Sequence, residues 1–139
     1  MAKPTPRVLE VIGTRYITPN MCRVTLGGAG MVDFPIDQES AYIKLIFPQD
    51  AGSRPLMRTY TVSVQRDGEI DVDFALHETE GPASAWARNA QVGDQILIGG
   101  PGPKKIINNE ADWFLLVGDM TALPAITVNL AQLPTEARG

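Results

Sequence analysis

Residues 57–77 read MRTYTVSVQRDGEIDVDFALH. Two runs rich in β-branched and apolar residues, 57–64 and 69–77, flank Arg66-Asp67-Gly68. An Asp-Gly pair between alternating runs is a strong short-range signal for a β-hairpin. In the second run the alternation is strict: Ile70, Val72, Phe74 and Leu76 fall on one face, and Asp71, Asp73, Ala75 and His77 on the other. A strand repeats every two residues, so one face is expected to be core and this hairpin to form the centre of the domain.

Upstream, residues 7–16 and 21–27 carry the same mixture around Thr18-Pro19-Asn20, which reads as another hairpin. A Gly-rich loop over 27–38 leads to a third strand, AYIKLIF at 41–47, stopped by Pro48. Downstream, GPASAWARNA at 81–90 offers Gly81 as a cap and Pro82 at a first helical position, giving a helix of about two turns. A sixth strand follows at 94–98, and GGPGP at 99–103 continues no element. The pattern then changes. WFLLVGDMTALPAITVNLAQLP at 113–134 is an apolar run, a glycine turn and a helical stretch, the opening of a parallel βα unit. The expected fold is mainly β: a six-stranded antiparallel barrel with one short helix over 1–103, then the first βα unit of an incomplete α/β domain over 104–139.

Composition narrows the function classes. The 139 residues carry a formal net charge of −4 with a sequence pI near 4.9, which lacks the even basic coating of a general nucleic-acid binder. Cys22 is the single cysteine, which excludes an internal disulfide and any CxxC-type metal or cluster site, and no bound metal is expected. The segment MAKPTPRVLEVIG has no long apolar core of a leader, and no window approaches the ~20 apolar residues of a membrane-spanning helix. A cytoplasmic protein without membrane insertion is expected.

Three stretches could carry chemistry. In RTYT, Arg58 and Tyr60 point one way along a strand while Thr59 and Thr61 point the other. A flat ligand bearing phosphate would use a guanidinium, an aromatic ring and a hydroxyl; an ordinary surface strand would use the same residues for solvation and packing. The helix start at Gly81-Pro82-Ala83-Ser84 presents open N–H groups and a positive dipole end to which a pyrophosphate could dock, although most helix starts bind nothing. His77, the single histidine, sits four residues before it. In VGDMTALPAI, Asp119, Met120 and Thr121 fall at the carboxyl end of the apolar run, where open α/β sheets bind ligands.

Together these motifs are more specific than their members. RTYT, DFALHETEGPASAWA after an Asp-Gly hairpin, IGGPG, and DWFLLVGDMTALPAI resemble, in order and spacing, the siderophore-interacting protein family, flavin-dependent ferric-siderophore reductases related to ferredoxin reductases. The resemblance runs from Arg7 to Leu133, about the first half of a full-length member. It implies a Greek-key barrel that binds FAD, followed by a domain that binds NADPH or NADH, with a ferric siderophore as substrate. Carried over residue by residue, it implies that Arg58 touches the flavin phosphates, Tyr60 packs on the isoalloxazine ring, and Thr61 reaches the N5 edge, with Thr59 beside them. Phe74, Ala75 and His77 would line the cofactor, Gly81, Pro82, Ala83 and Ser84 would hold the pyrophosphate, and Asp119, Thr121 and Ala122 would serve the nicotinamide side. The sequence departs from the family pattern at Ser63, where a second basic residue is frequent, and at Met120, which replaces an acid. A FAD-binding module without its own NAD(P)H activity, a related flavoenzyme with another acceptor, and an interaction domain with an unused flavin site are the alternatives.

Overall fold

A computed structural model describes residues 5–139; residues 1–4, the start of the segment inspected for a leader, lie outside the described residues. Six strands, β1 (Arg7–Thr18), β2 (Met21–Gly27), β3 (Tyr42–Phe47), β4 (Leu56–Arg66), β5 (Glu69–Ala75) and β6 (Gln95–Gly99), close into one antiparallel barrel in the order β1-β2-β5-β4-β3-β6. Strands β3, β4 and β5 follow one another in space, and β6 returns beside β3, which is the Greek-key path. Closure leaves the barrel no free edge. Helix α1 (Pro82–Asn89) lies between β5 and β6 in the chain, and α2 (Leu123–Ala131) follows the barrel.

The Asp-Gly hairpin forms as expected, with Arg66 paired to Glu69 and Gly68 at φ +77°, a value that costs glycine no Cβ clash. The expected core face of β5 is core: Ile70, Val72 and Phe74 are fully buried beside Val24, Leu26 and Ile43. The other face is not left to water. Asp71, 2% exposed, accepts hydrogen bonds from Thr25 Oγ1 at 2.7 Å and from Arg66 Nη2 at 2.7 Å. Asp73 takes a bidentate pair from Arg23, at 2.7 and 2.9 Å. The β4–β5 register slips between Val62 and Val64, and the extra residue, Ser63, accepts from Arg23 Nη2 at 3.3 Å while donating to Asp73 Oδ2 at 3.1 Å. Ser63 therefore completes a charge ladder across β2, β5 and β4, where each buried acid has a donor.

Strand β4 runs from Leu56 to Arg66 where 57–64 is expected, β3 and β6 each shift by one residue, and three further differences bear on the argument. Strand β1 runs on to Thr18. Strand β5 stops at Ala75: the Leu76 N–H still donates to the Asn20 carbonyl at 2.8 Å, in register with Met21 opposite Ala75, but Asn20 lies in the β1–β2 turn, so the ladder has no further partner. Residues 113–117 form no strand among the described residues, although α2 forms as read. A strand exists only as one side of a hydrogen-bonded ladder, and among the described residues no second parallel strand pairs with this run. Instead the connection is held by side chains and turns. The Lys105 N–H donates to Ser40 O at 3.2 Å, and Ala41 bridges Lys104. From the other side Asn129 of α2, 5% exposed, donates to Lys105 O at 2.7 Å and accepts the Ile107 N–H at 3.0 Å.

Two expectations follow from this packing. Burial alone would raise the Asp71 carboxyl, but hydrogen bonds from Arg66 and Thr25 and the charges of Arg66 and Arg23 outweigh it and hold the group below the usual aspartate range. A depressed folded value contributes stability that is whole above the unfolded value of about 3.9 and is lost as pH falls through the folded one. Thermal melts from pH 7 down to pH 3 should thus show Asp71→Asn less stable by about 1–3 kcal/mol at neutral pH and with a shallower acid decline than the parent. At Gly102 a Cβ would fall 2.0 Å from Tyr42 Cζ. Gly102→Ala should lower stability by about 1–3 kcal/mol, and most of that loss should vanish in a Tyr42→Ala background, measured by chemical denaturation.

Candidate functional site

Strand β4 enters the barrel through RTYT, and its register against β3 sets the direction of each side chain. Arg58 stands opposite Leu45 and Tyr60 opposite Ile43, both fully buried partners, so these two side chains belong to the inner face at the barrel mouth. Thr59 stands opposite Lys44 and Thr61 opposite Tyr42, on the outer face. The structure thus brings Arg58 and Tyr60 together and turns both threonines the other way.

Arg58 is exposed, and its guanidinium donates to the adjacent Met57 carbonyl at 2.9 Å. Arg7, Arg23, Arg66 and Arg88 each hold a carboxylate; Arg58 holds none among the described residues. Its charge remains available to an anion. Tyr60 is half-buried, with one face against Phe74 at a centroid distance of 4.5 Å and a tilt of 38°. Burial pushes its phenol up, with the Arg58 charge pulling it partly back. Phe74 is fully buried and Ala75 nearly so, so Phe74 can reach a ligand only through its backbone or through the Tyr60 ring.

At the start of α1, Ser84 Oγ accepts the Gly81 N–H at 3.1 Å and donates to the Gly81 carbonyl at 3.2 Å. The hydroxyl is spent on the helix's own first turn. The first helical bond runs from the Ala85 N–H to Gly81 O, and Pro82 has no N–H, so the backbone N–H groups of Ala83 and Ser84 are the donors that precede the ladder. Helix N-termini present such N–H groups to anions, although Ala83 and Ser84 are themselves buried, at 3% and 5% exposure. His77 is exposed beyond the end of β5 and lines a groove of about 710 Å³ with Asn20, Glu80, Arg88 and Met120, which brings the β1–β2 turn, α1 and the 118–122 turn to one place.

That turn is built locally. Asp119 Oδ1 accepts the Thr121 N–H at 3.0 Å and the Thr121 hydroxyl, and the Ala122 N–H donates to Asp119 O at 3.1 Å. The Thr121 hydroxyl first, then its N–H, hold the Asp119 carboxyl below its usual range, with a smaller pull from His77. Asp119 therefore organises the entry to α2.

Two features escaped the sequence reading. Lys44 reaches Thr59 Oγ1 with its ammonium 5.5 Å from the Tyr42 ring centroid, so a cation shares the outer face with Thr61. Its position opposite Thr59 needs the β3–β4 register, which no local pattern supplies. Trp86 of α1 packs on Phe74 at 5.8 Å, extending the Tyr60–Phe74 contact into the helix.

Known proteins share this sequence pattern and fold. The family model of the siderophore-interacting FAD-binding domain matches residues 10–53 and 49–105, and that of siderophore-interacting protein matches residues 111–139. The ferric vibriobactin reductase ViuB of Vibrio cholerae is 35% identical, over 96% of this chain and 56% of that protein. The NADPH-dependent ferric-chelate reductase of Escherichia coli is 30% identical, over 91% and 57%. The crystal structure of the siderophore-interacting protein SipS from Aeromonas hydrophila superposes with a TM-score of 0.83 at 37% identity, over 96% of this chain and 56% of that one. The chain spans about half the length of the curated relatives it matches. With both family models matched in order along a closed Greek-key barrel and the helix that follows it, the chain belongs to the siderophore-interacting protein family.

Proposed function

We propose that this chain binds FAD across the barrel mouth and serves in the reduction of a ferric siderophore with NADPH or NADH as the electron source. The observation that carries the reading is Arg58, a cation without a carboxylate partner among the described residues, on the same strand face as a half-buried tyrosine ring packed on Phe74. A phosphate-bearing planar cofactor matches both. Arg58 would pair with a flavin phosphate, and Tyr60 would cover the isoalloxazine ring. The Ala83 and Ser84 N–H groups would hold the pyrophosphate, with Gly81 and Pro82 leaving the approach open.

The family resemblance gives Thr61 the N5 edge, whereas the register sets its side chain with Thr59 and Lys44 on the outer face, away from Tyr60. Ala75 and the Phe74 backbone would line the ring's surroundings and His77 the groove beyond it. Asp119, Thr121 and Ala122 would shape the nicotinamide side through the turn they already build. Bound flavin supplies the exchange between a two-electron donor and a one-electron acceptor, which a nicotinamide and Fe(III) require. The iron is substrate: hard-oxygen siderophores hold Fe(II) weakly, so reduction releases it. We place the work in the cytoplasm, as the family resemblance implies; no helix among the described residues is long and apolar enough to cross a membrane.

On this reading residues 1–103 are the FAD-binding barrel and 104–139 begin the NAD(P)H-binding α/β unit. Leu115 and Val117, 72% and 82% exposed, are the apolar face that a parallel sheet would cover. The same two residues favour a second reading, a FAD-binding module whose reduction by NAD(P)H needs more sheet than 104–139 supply.

Arg58→Ala should weaken FAD binding roughly tenfold or more, the scale of a lost charge-assisted hydrogen bond, with the parent's melting temperature unchanged; parent-like affinity in fluorescence titration would end the phosphate role. Anaerobic addition of NADPH to the FAD-loaded chain separates the two readings. Bleaching of the visible flavin band is expected if residues 104–139 suffice for the nicotinamide, and persistent colour marks the module.

A further inference from the structure

Three aromatic rings join the mouth strand to the helix whose N-terminus faces the proposed pyrophosphate. Tyr60 of β4 lies on Phe74 of β5, at 4.5 Å and 38°, and Phe74 lies on Trp86 of α1, at 5.8 Å and 49°. Phe74 is fully buried and paired across the ladder with Cys22, also buried, so it has little freedom to re-orient. The helix is held close by small residues. Ala83 and Ala87, one turn apart, are both buried, and Cys22 Sγ lies 4.0 Å from the Ala87 carbonyl oxygen. Trp86 lies about one helical turn after Ala83, beside this inward face, and its half-buried ring packs on Phe74.

We infer that Trp86 is a positioning residue for the flavin: acting through Phe74, it sets the plane of the Tyr60 ring relative to the Ala83 and Ser84 N–H groups. This inference rests on the FAD reading. A dinucleotide that stacks on Tyr60 and places its pyrophosphate on the start of α1 needs the two contacts at one fixed separation. The stack supplies that separation, because no ring in it can tilt without displacing the next. The cofactor's affinity and the angle between its ring and Tyr60 thus depend on a side chain that need not touch it.

The test is a double-mutant cycle on the FAD-loaded protein, read by FAD affinity and by visible-region circular dichroism of the bound flavin, a signal that general loss of stability does not move. Trp86→Ala should weaken FAD roughly tenfold, the scale of one aromatic pair, and change the dichroism band, while Trp86→Phe restores both. In a Tyr60→Leu background, Trp86→Ala should add no further loss of affinity, because its route to the flavin is already cut. Phe74→Leu in place of Tyr60→Leu should behave alike and checks the middle ring. Losses that add in full, or Trp86→Ala with parent affinity and dichroism, overturn the positioning role while leaving the FAD reading intact. A parent chain that binds no FAD overturns that reading and this inference with it.

Discussion

The pairing register of β4 against β3 is the constraint on which the site depends. With Tyr60 opposite Ile43 and Arg58 opposite Leu45, the cation and the aromatic ring are committed to the inner face, and both threonines to the outer one. A slip of one residue would exchange the two sets, because the side-chain period of a strand is two. The core resists that slip: Ile43, Leu45 and Val62 are fully buried, and any shift would drive a polar neighbour into their places. Burial in the barrel wall therefore decides which groups meet at the mouth.

The adjoining side of the barrel, where β4 pairs with β5 and β5 with β2, is held by different physics. Asp71 and Asp73 alternate with the core residues of β5 and by pattern alone belong in water. They are instead covered, by Arg23 from β2 and Arg66 from β4, with Ser63 inserted at the bulge. Buried ion pairs give little net stability, since desolvation offsets most of the attraction, yet removing one partner leaves a charge without a counterpart. Their geometry is directional, so a ladder of this kind disfavours alternative registers more than it deepens the native well. The departure from the family pattern at Ser63 has its structural counterpart here: the residue serves the barrel wall between Arg23 and Asp73.

Much of the fold was legible because its signals are local. The Asp-Gly turn, the alternation from Ile70 to Leu76, the Pro82 helix start and the breaker run at 99–103 each act within a few residues, and six strands and two helices stand where those signals lie. What was not legible depends on distant partners. Strand β5 stops at Ala75 because its partner β2, more than fifty residues away, begins only at Met21. The apolar run at 113–117 has every propensity of a strand and no ladder to join. The site divides in the same way. The residue types in RTYT and GPAS pointed to phosphate and a ring, but the split of Arg58 and Tyr60 from the threonines, the inward turn of the Ser84 hydroxyl, and the stacking of Trp86 all needed tertiary placement.

The connection after β6 has a consequence for modular exchange. Residues 104–107 are fastened to the barrel through Ser40 and Ala41 and to α2 through the Asn129 amide. Ser40 holds φ +77° while buried, a conformation that a non-glycine residue keeps only when its surroundings impose it. The segment therefore behaves as a bracket with two bolted ends rather than as a tether. A chimera that joins this barrel to another downstream unit would inherit the orientation of that unit only if the bracket, and an amide at position 129 to receive it, were transplanted together.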